Sequence, residues 1–201
     1  MIECLLFDFG DIWIDLQHRE FDVACKQIGL VEFPNNWSTV NEKFETGMIS
    51  SDAFIASLMT QTAASKHQVI SVWNALIAPV PAYRMDFLQR IKKKYRLFLL
   101  SNTDAIHIAY FSKLMGEAAA IDFFSSFEHL YFSFEMGYRK PDPHYFEYVF
   151  HNSKLNPETC FFIDDRADNI AAAAAAGLRG WHLKPEQDDV VDLEQQIARL
   201  I

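Results

Sequence analysis

Cysteine is scarce in this sequence. Cys4, Cys25 and Cys160 are odd in number and share no metal-ligand spacing, which argues against a disulfide framework and against a thiolate metal site. Two of them sit in strand-like apolar runs, and buried free thiols fit a reducing cytoplasmic setting. Positive charge is also short. Eighteen Lys and Arg stand against 27 Asp and Glu, for a formal net charge of −9. That balance argues against broad attraction to nucleic acid or to anionic membrane surfaces. The one compact basic run, Arg90 to Arg96 with Lys92-Lys93-Lys94 inside it, reads as a solvated helix end before a strand. No apolar run is long enough to span a bilayer, and no charged-then-apolar leader opens the sequence. The seven His form no zinc pattern, and no internal repeat is visible. These absences predict a soluble cytoplasmic protein without nucleic-acid or membrane partners.

What is present is core material. Half of the 201 residues are hydrophobic, 22% are charged and 18 are Phe, enough for one domain or for a core with a modest insert. Strand-like runs near 2–7, 96–101, 129–133, 160–164 and 180–183 alternate, in the later part, with helical stretches near 104–116, 142–152, 167–177 and 190–200. That alternation predicts an α/β fold with a parallel sheet covered on both faces. The stretch from 15 to 80 differs, with helical periodicity and no strong strand. Phe21, Ala24, Cys25 and Ile28 form one stripe with Gly29 as its stop, and Ser51-Asp52 can cap a helix carrying Phe54, Ile55, Leu58 and Met59. Val69, Ile70, Trp73, Leu76 and Ile77 form a further stripe. The expected organisation is a core of residues 1–14 and 85–201, interrupted by four helices over residues 15–84. The alanine run 171–176, ended by Gly177, fits a helix packed close on the sheet.

Three apolar runs end in polar groups of one chemical kind. The first ends in Asp8, with Gly10 allowing the chain to turn. Leu97 to Leu100 ends in Ser101-Asn102-Thr103, and Cys160 to Ile163 ends in Asp164 and Asp165. In open α/β sheets ligands bind beyond the carboxyl ends of the strands, so this convergence predicts a metal-assisted site. Two adjacent carboxylates at one strand end are costly unless something compensates their repulsion.

Four segments then stand in a recognisable order: Asp8-Phe9-Gly10-Asp11-Ile12, Leu100-Ser101-Asn102-Thr103, Gly137-Tyr138-Arg139-Lys140-Pro141, and Phe162-Ile163-Asp164-Asp165-Arg166-Ala167-Asp168-Asn169. Across nearly the whole chain this resembles the haloacid dehalogenase-like hydrolase superfamily, and within it the small sugar-phosphate phosphatases whose first motif reads Asp-x-Gly. The resemblance implies a Rossmann-like core with an inserted helical-bundle cap. It also implies hydrolysis of a small phosphorylated metabolite. Asp8 would be the nucleophile, forming an aspartyl-phosphate that water later cleaves. Mg2+ would be held by Asp8, the Gly10 carbonyl and Asp165, with Asp164 as accessory ligand or orienting group. Ser101 through its hydroxyl and Asn102 through its backbone would donate hydrogen bonds to the phosphoryl oxygens, and Lys140 would supply positive charge to Asp8 and phosphate. Asp168 and Asn169 read as capping residues of the next helix.

One position departs from the pattern. Most phosphatases of the superfamily carry Asp two residues after the nucleophile, as general acid and base, and here that residue is Gly10. Asp11 is adjacent and is either a substitute or a turn residue. The departure keeps two alternatives open, a metal-independent 2-haloacid dehalogenase and a weakly active phosphate-binding or regulatory protein. Substrate selection is expected from the insert and the residues facing it, with Trp13, His18, Arg19, Phe44, Glu45 and Met48 as candidates. The expected assembly is a monomer or a homodimer.

Overall fold

Leu5, Phe7, Leu97, Leu99, Phe161 and Ile163 lie in one hydrophobic cluster, while Cys4, Leu6, Phe98, Leu100, Cys160 and Phe162 lie in another. Strand side chains alternate between the two faces of a sheet, so odd and even positions go to opposite layers. Both layers being apolar is what a parallel sheet with helices on either face requires. The structure, a computed structural model, describes residues 2–200.

The first strand, β1 (Cys4–Phe7), is followed by the helices α1 (His18–Gln27), α2 (Trp37–Glu45), α3 (Ser51–Met59), α4 (Lys66–Asn74) and α5 (Ala82–Ile91). Then come β2 (Arg96–Ser101), α6 (Ala105–Met115), α7 (Glu117–Phe124), β3 (His129–Phe132), the single-turn α8 (Ser133–Met136) and α9 (Pro143–Ser153). The chain ends with β4 (Cys160–Asp164), α10 (Ala167–Ala175), β5 (Arg179–His182) and α11 (Leu193–Leu200). All strand pairs are parallel, in the order β3-β2-β1-β4-β5, with Cys4 level with both Arg96 and Cys160. The chain winds outward from β1 to β3, then returns to the other side of β1 as β4. The switch point is thus the crevice between β1 and β4, where α/β sheets hold their ligands. The three thiols are free and buried, and among the described residues no helix is long and apolar enough to cross a membrane.

The five expected strands are the five observed. The helices hold several differences. Ser50, not Ser51-Asp52, caps α3, its hydroxyl accepting from Ala53 N at 3.2 Å. Asp52 instead sits in the first turn and pairs with Lys66. Asn169 does not cap α10; its amide binds Asp164. The helices α7 and α8 lie outside the expected set, although Gly116, with a positive φ of 78°, separates α7 from α6 and Gly137 ends α8. The helix α5 runs across position 84, and its buried Phe87, Leu88 and Ile91 belong to the cluster beneath the sheet.

Helices α1 to α4 enclose their own cluster, in which Phe54 is fully buried, stacked on Phe44 with centroids 4.0 Å apart and edge-on to Trp73 at 4.8 Å. Gly47 and Arg84 are two of the contacts that fasten this unit to the rest of the fold. Gly47, just past α2, has a positive φ of 69°, and a Cβ added there would lie 2.3 Å from the Phe134 carbonyl oxygen, so only glycine lets the two backbones meet. The other is Arg84, buried at the start of α5. Its guanidinium donates to Asp15 Oδ1 at 2.8 Å and to Asp189 Oδ2 at 2.9 Å, tying the first turn after β1 to the segment before α11. Replacing it by methionine keeps the bulk but strands two carboxylates. Arg84→Met should cost about 2 kcal/mol, lowering Tm by roughly 4–8 °C for a chain of this size. A thermal melt followed by circular dichroism measures it, and an unchanged Tm would show that Arg84 is no fastening.

Candidate functional site

The β1 and β4 strands end side by side, with Asp8 N donating to Ile163 O at 2.9 Å, so the acids that follow each strand must share one small space. Between them lies Lys140, 1% exposed. Its ammonium gives one hydrogen bond to Asp8 Oδ1, one to Asp164 Oδ2 and one to the Leu100 carbonyl, each 2.7 Å long. An ammonium has three donors, and all are used. The Phe162 ring lies 5.3 Å from its nitrogen. Burial pulls the lysine pKa down, but the carboxylates of Asp164 and Asp8 more than offset it, and the group stands above its ordinary value. Burial likewise pushes Asp8 well above the ordinary carboxylate range; Lys140 pulls it down, and the charges of Asp164 and Asp165 push it up again.

The lysine is held in place from behind. Asn102 grips its main chain in both directions, Oδ1 accepting from Lys140 N at 2.8 Å and Nδ2 donating to Lys140 O at 2.7 Å. The Asn102 side chain is thus committed to the lysine loop, while its main chain is the part expected to meet the phosphoryl group. Asp164 is fully buried and its oxygens are taken: Oδ1 accepts from Arg166 N at 2.8 Å and from Asn169 Nδ2 at 3.0 Å, and Oδ2 accepts from Lys140. Asp165 differs. It is half-buried, its main-chain oxygen meets His182 Nε2 at 2.9 Å, and burial followed by the charge of Asp164 raises its carboxyl.

Asp8, Asp164 and Asp165 can each present an oxygen within 4.8 Å of the others. Three carboxylates against one ammonium leave an excess of two negative charges, and all the donors are hard oxygens. That set suits a divalent cation of the magnesium type. Because Asp164 is already bonded, Asp8 and Asp165 are the acids with oxygen to offer.

Asp8, Lys140 and Asp165 line one end of a cavity of about 450 Å³, also lined by Gly10, Asp11, Ser101 and Asn102. Asp11 has a positive φ of 54°, and its Oδ1 accepts from Leu16 N at 2.9 Å, which closes the first-motif turn. A Cβ added to Gly10 would meet Leu16 Cδ1 at 3.0 Å. The far end is built by the insert and by α6. There Glu45 contacts Arg139 at 3.0 Å, Asn41 Nδ2 donates to Glu45 Oε1 at 3.0 Å, and His107 lies between Asp104 and the Trp73 carbonyl.

Of the residues expected to reach the cavity from the insert, His18 and Glu45 line it, while Arg19, Phe44 and Met48 do not. Trp13 is fully buried among Phe7, Phe87 and Phe127 beneath the sheet. Sequence reasoning missed Asn41, Trp73, Asp104, His107 and Arg139. Arg139 alone had a signal, its place beside Lys140 in the third motif.

Comparison with known proteins gives this geometry a context. Along its full length the chain is 23% identical to D-ribitol-5-phosphate phosphatase of Bacteroides thetaiotaomicron, covering 99% of that protein. It is 24% identical to the sesquiterpene phosphatase astK of Aspergillus oryzae over 96% of this chain and 95% of the relative. A haloacid dehalogenase family enzyme of Bacteroides thetaiotaomicron, solved as a magnesium complex, superposes with a TM-score of 0.86 at 28% identity, covering 93% of this chain and 96% of that one. The family model of haloacid dehalogenase-like hydrolases matches residues 7–177, and the chain belongs to that family of enzymes.

Proposed function

We propose that the protein is a magnesium-dependent phosphatase that hydrolyses a small phosphomonoester through an aspartyl-phosphate, with residues 15–84 acting as a cap over a core of residues 1–14 and 85–201. The observation that carries the reading is the Lys140 ammonium shared by Asp8 and Asp164, with Asp165 open beside them. A lysine that fixes one oxygen of Asp8 leaves the other free to attack. The names of the phosphatase relatives, and the magnesium complex of a structural neighbour, support the same reaction class and the same cation.

Asp8 and Asp165, with the Gly10 carbonyl, would hold Mg2+, and Asp164, bonded to Lys140 and Asn169, would orient that set. When bound, the cation offsets the negative charge that otherwise repels a phosphate from these acids. The free Asp8 oxygen forms a bond to phosphorus as the ester oxygen departs with its electron pair. Water then attacks the acyl phosphate, giving inorganic phosphate and restoring the carboxylate. Ser101, at the end of β2, donates its hydroxyl to a phosphoryl oxygen, and Lys140 screens the charge that gathers there. Asn102 serves by fixing the lysine. Gly10 has no proton to give and Leu16 fills the space beside it, while Asp11 is engaged with Leu16 N. The leaving oxygen therefore takes its proton from water.

Three outcomes test this. Asp8→Asn should keep the fold and lose turnover of p-nitrophenyl phosphate by on the order of 10⁴-fold or more; hydrolysis at the parent rate would remove Asp8 from the mechanism. Lys140→Met leaves two buried carboxylates without their cation and should lower stability by about 3–5 kcal/mol, read by denaturant unfolding. Excess chelator should abolish phosphate release and added magnesium should restore it; release that persists under chelation, with halide freed from short haloacids, would favour a dehalogenase instead.

A further inference from the structure

The two ends of the cavity differ in charge. Near Asp8 the carboxylates outnumber the lysine. On the far wall opposite charges come in matched pairs, Glu45 with Arg139 at 3.0 Å and Asp104 with His107 at 3.0 Å. His107 carries a proton on both ring nitrogens, because Nε2 faces the Trp73 carbonyl at 2.9 Å and Nδ1 faces the Asp104 carboxylate. A carbonyl oxygen can only accept, and an ionised carboxylate likewise. The far wall therefore has its charges matched and its hydrogen-bonding groups set beside apolar ones, among them Phe21, Phe33, Leu76 and Ile77.

We propose that Asn41, Glu45 and Arg139 are specificity-determining residues that read the leaving group, selecting neutral, hydroxyl-bearing groups and rejecting those with a second negative charge. The proposal rests on the phosphatase reading above and deepens it. Asn41 Oδ1 is a buried acceptor with no hydrogen-bond donor among the described residues, a condition that costs free energy until one arrives, and Glu45 Oε2 lies 3.0 Å from Arg139 Nε without a well-aligned hydrogen bond between them. Alcohol hydroxyls are such donors, and they accept in turn from the guanidinium. A second phosphate or carboxylate gains little from Arg139, whose charge Glu45 already matches, and it approaches Asp104 as well. A long hydrocarbon would seal these polar groups away with no hydrogen bond in return. The indoles of Trp37 and Trp73 face the same cavity and offer flat apolar surfaces to the C–H side of a polyol.

The test compares kcat/KM, with magnesium present, for an alditol phosphate, phosphoglycolate and an isoprenyl monophosphate. Turnover of p-nitrophenyl phosphate by the parent protein checks the phosphatase reading separately; if it is absent, that reading falls and this one with it. The parent should prefer the alditol phosphate over phosphoglycolate by about tenfold or more, the worth of one charge-assisted hydrogen bond. In Glu45→Gln the unmatched Arg139 should shift that ratio toward phosphoglycolate by about tenfold. Asn41→Ala leaves the ion pair intact, so it serves even if Glu45→Gln fails to fold, and it should raise KM for the alditol phosphate more than it lowers kcat. A parent that prefers phosphoglycolate or the isoprenyl ester, or ratios unchanged in the variants that fold, would overturn the assignment.

Discussion

One buried ammonium governs this molecule. Lys140 sits where two central strands end, and without it Asp8 and Asp164 would face each other across a dry interior. Each of its bonds also joins a separate stretch of chain: β1 through Asp8, β2 through Leu100, β4 through Asp164. The lysine thus fixes the relative height of three strand ends and the charge state of the acids between them. The same arrangement leaves the local charge unbalanced, and in the proposed reading that imbalance is what receives a cation and then a phosphate. Stability and reactivity have one source here.

The helical insert is attached by polar and steric contacts as well as by apolar packing. Its links to the rest of the fold include Gly47 against Phe134, Arg84 between Asp15 and Asp189, Trp73 Nε1 donating to Asp104 at 3.1 Å, the Glu45–Arg139 pair, and Ile77 and Val80 in the cluster beneath the sheet. Interfaces of this kind are directional. They fix where the insert sits over the crevice, and with it which side chains a bound molecule meets at the end remote from Asp8.

The sheet was legible in the sequence because each strand is a short apolar run, and a parallel strand buried on both faces needs nothing else. The acids at the strand ends were legible for a related reason: Asp8, Asp164 and Asp165 stand at abrupt apolar-to-charged steps that a core would not tolerate without purpose. What was not legible depends on partners far apart in the chain. What the Asn102 side chain does is visible only once Lys140, 38 residues away, is seen in its grip. Asn169 looks like a helix cap until Asp164 turns toward it. Trp13 looks like a cavity residue because it follows the first motif, yet the turn at Asp11 swings it into the core beside Phe7. Asn41, Asp104 and His107 carry no local mark, since a polar residue on a helix is ordinary until the packing of α2, α4 and α6 decides which way it points.

Leu16 gives the first-motif loop an unexpected kind of inertia. Its Cδ1 methyl lies 3.0 Å from where a Cβ on residue 10 would stand, while its main-chain nitrogen holds Asp11 and its backbone bridges to Ile77 in the insert. A side chain at position 10 therefore asks Leu16 to give way by a few tenths of an ångström, and because Leu16 is also tied through its backbone to Asp11 and Ile77, the whole loop shares in the adjustment.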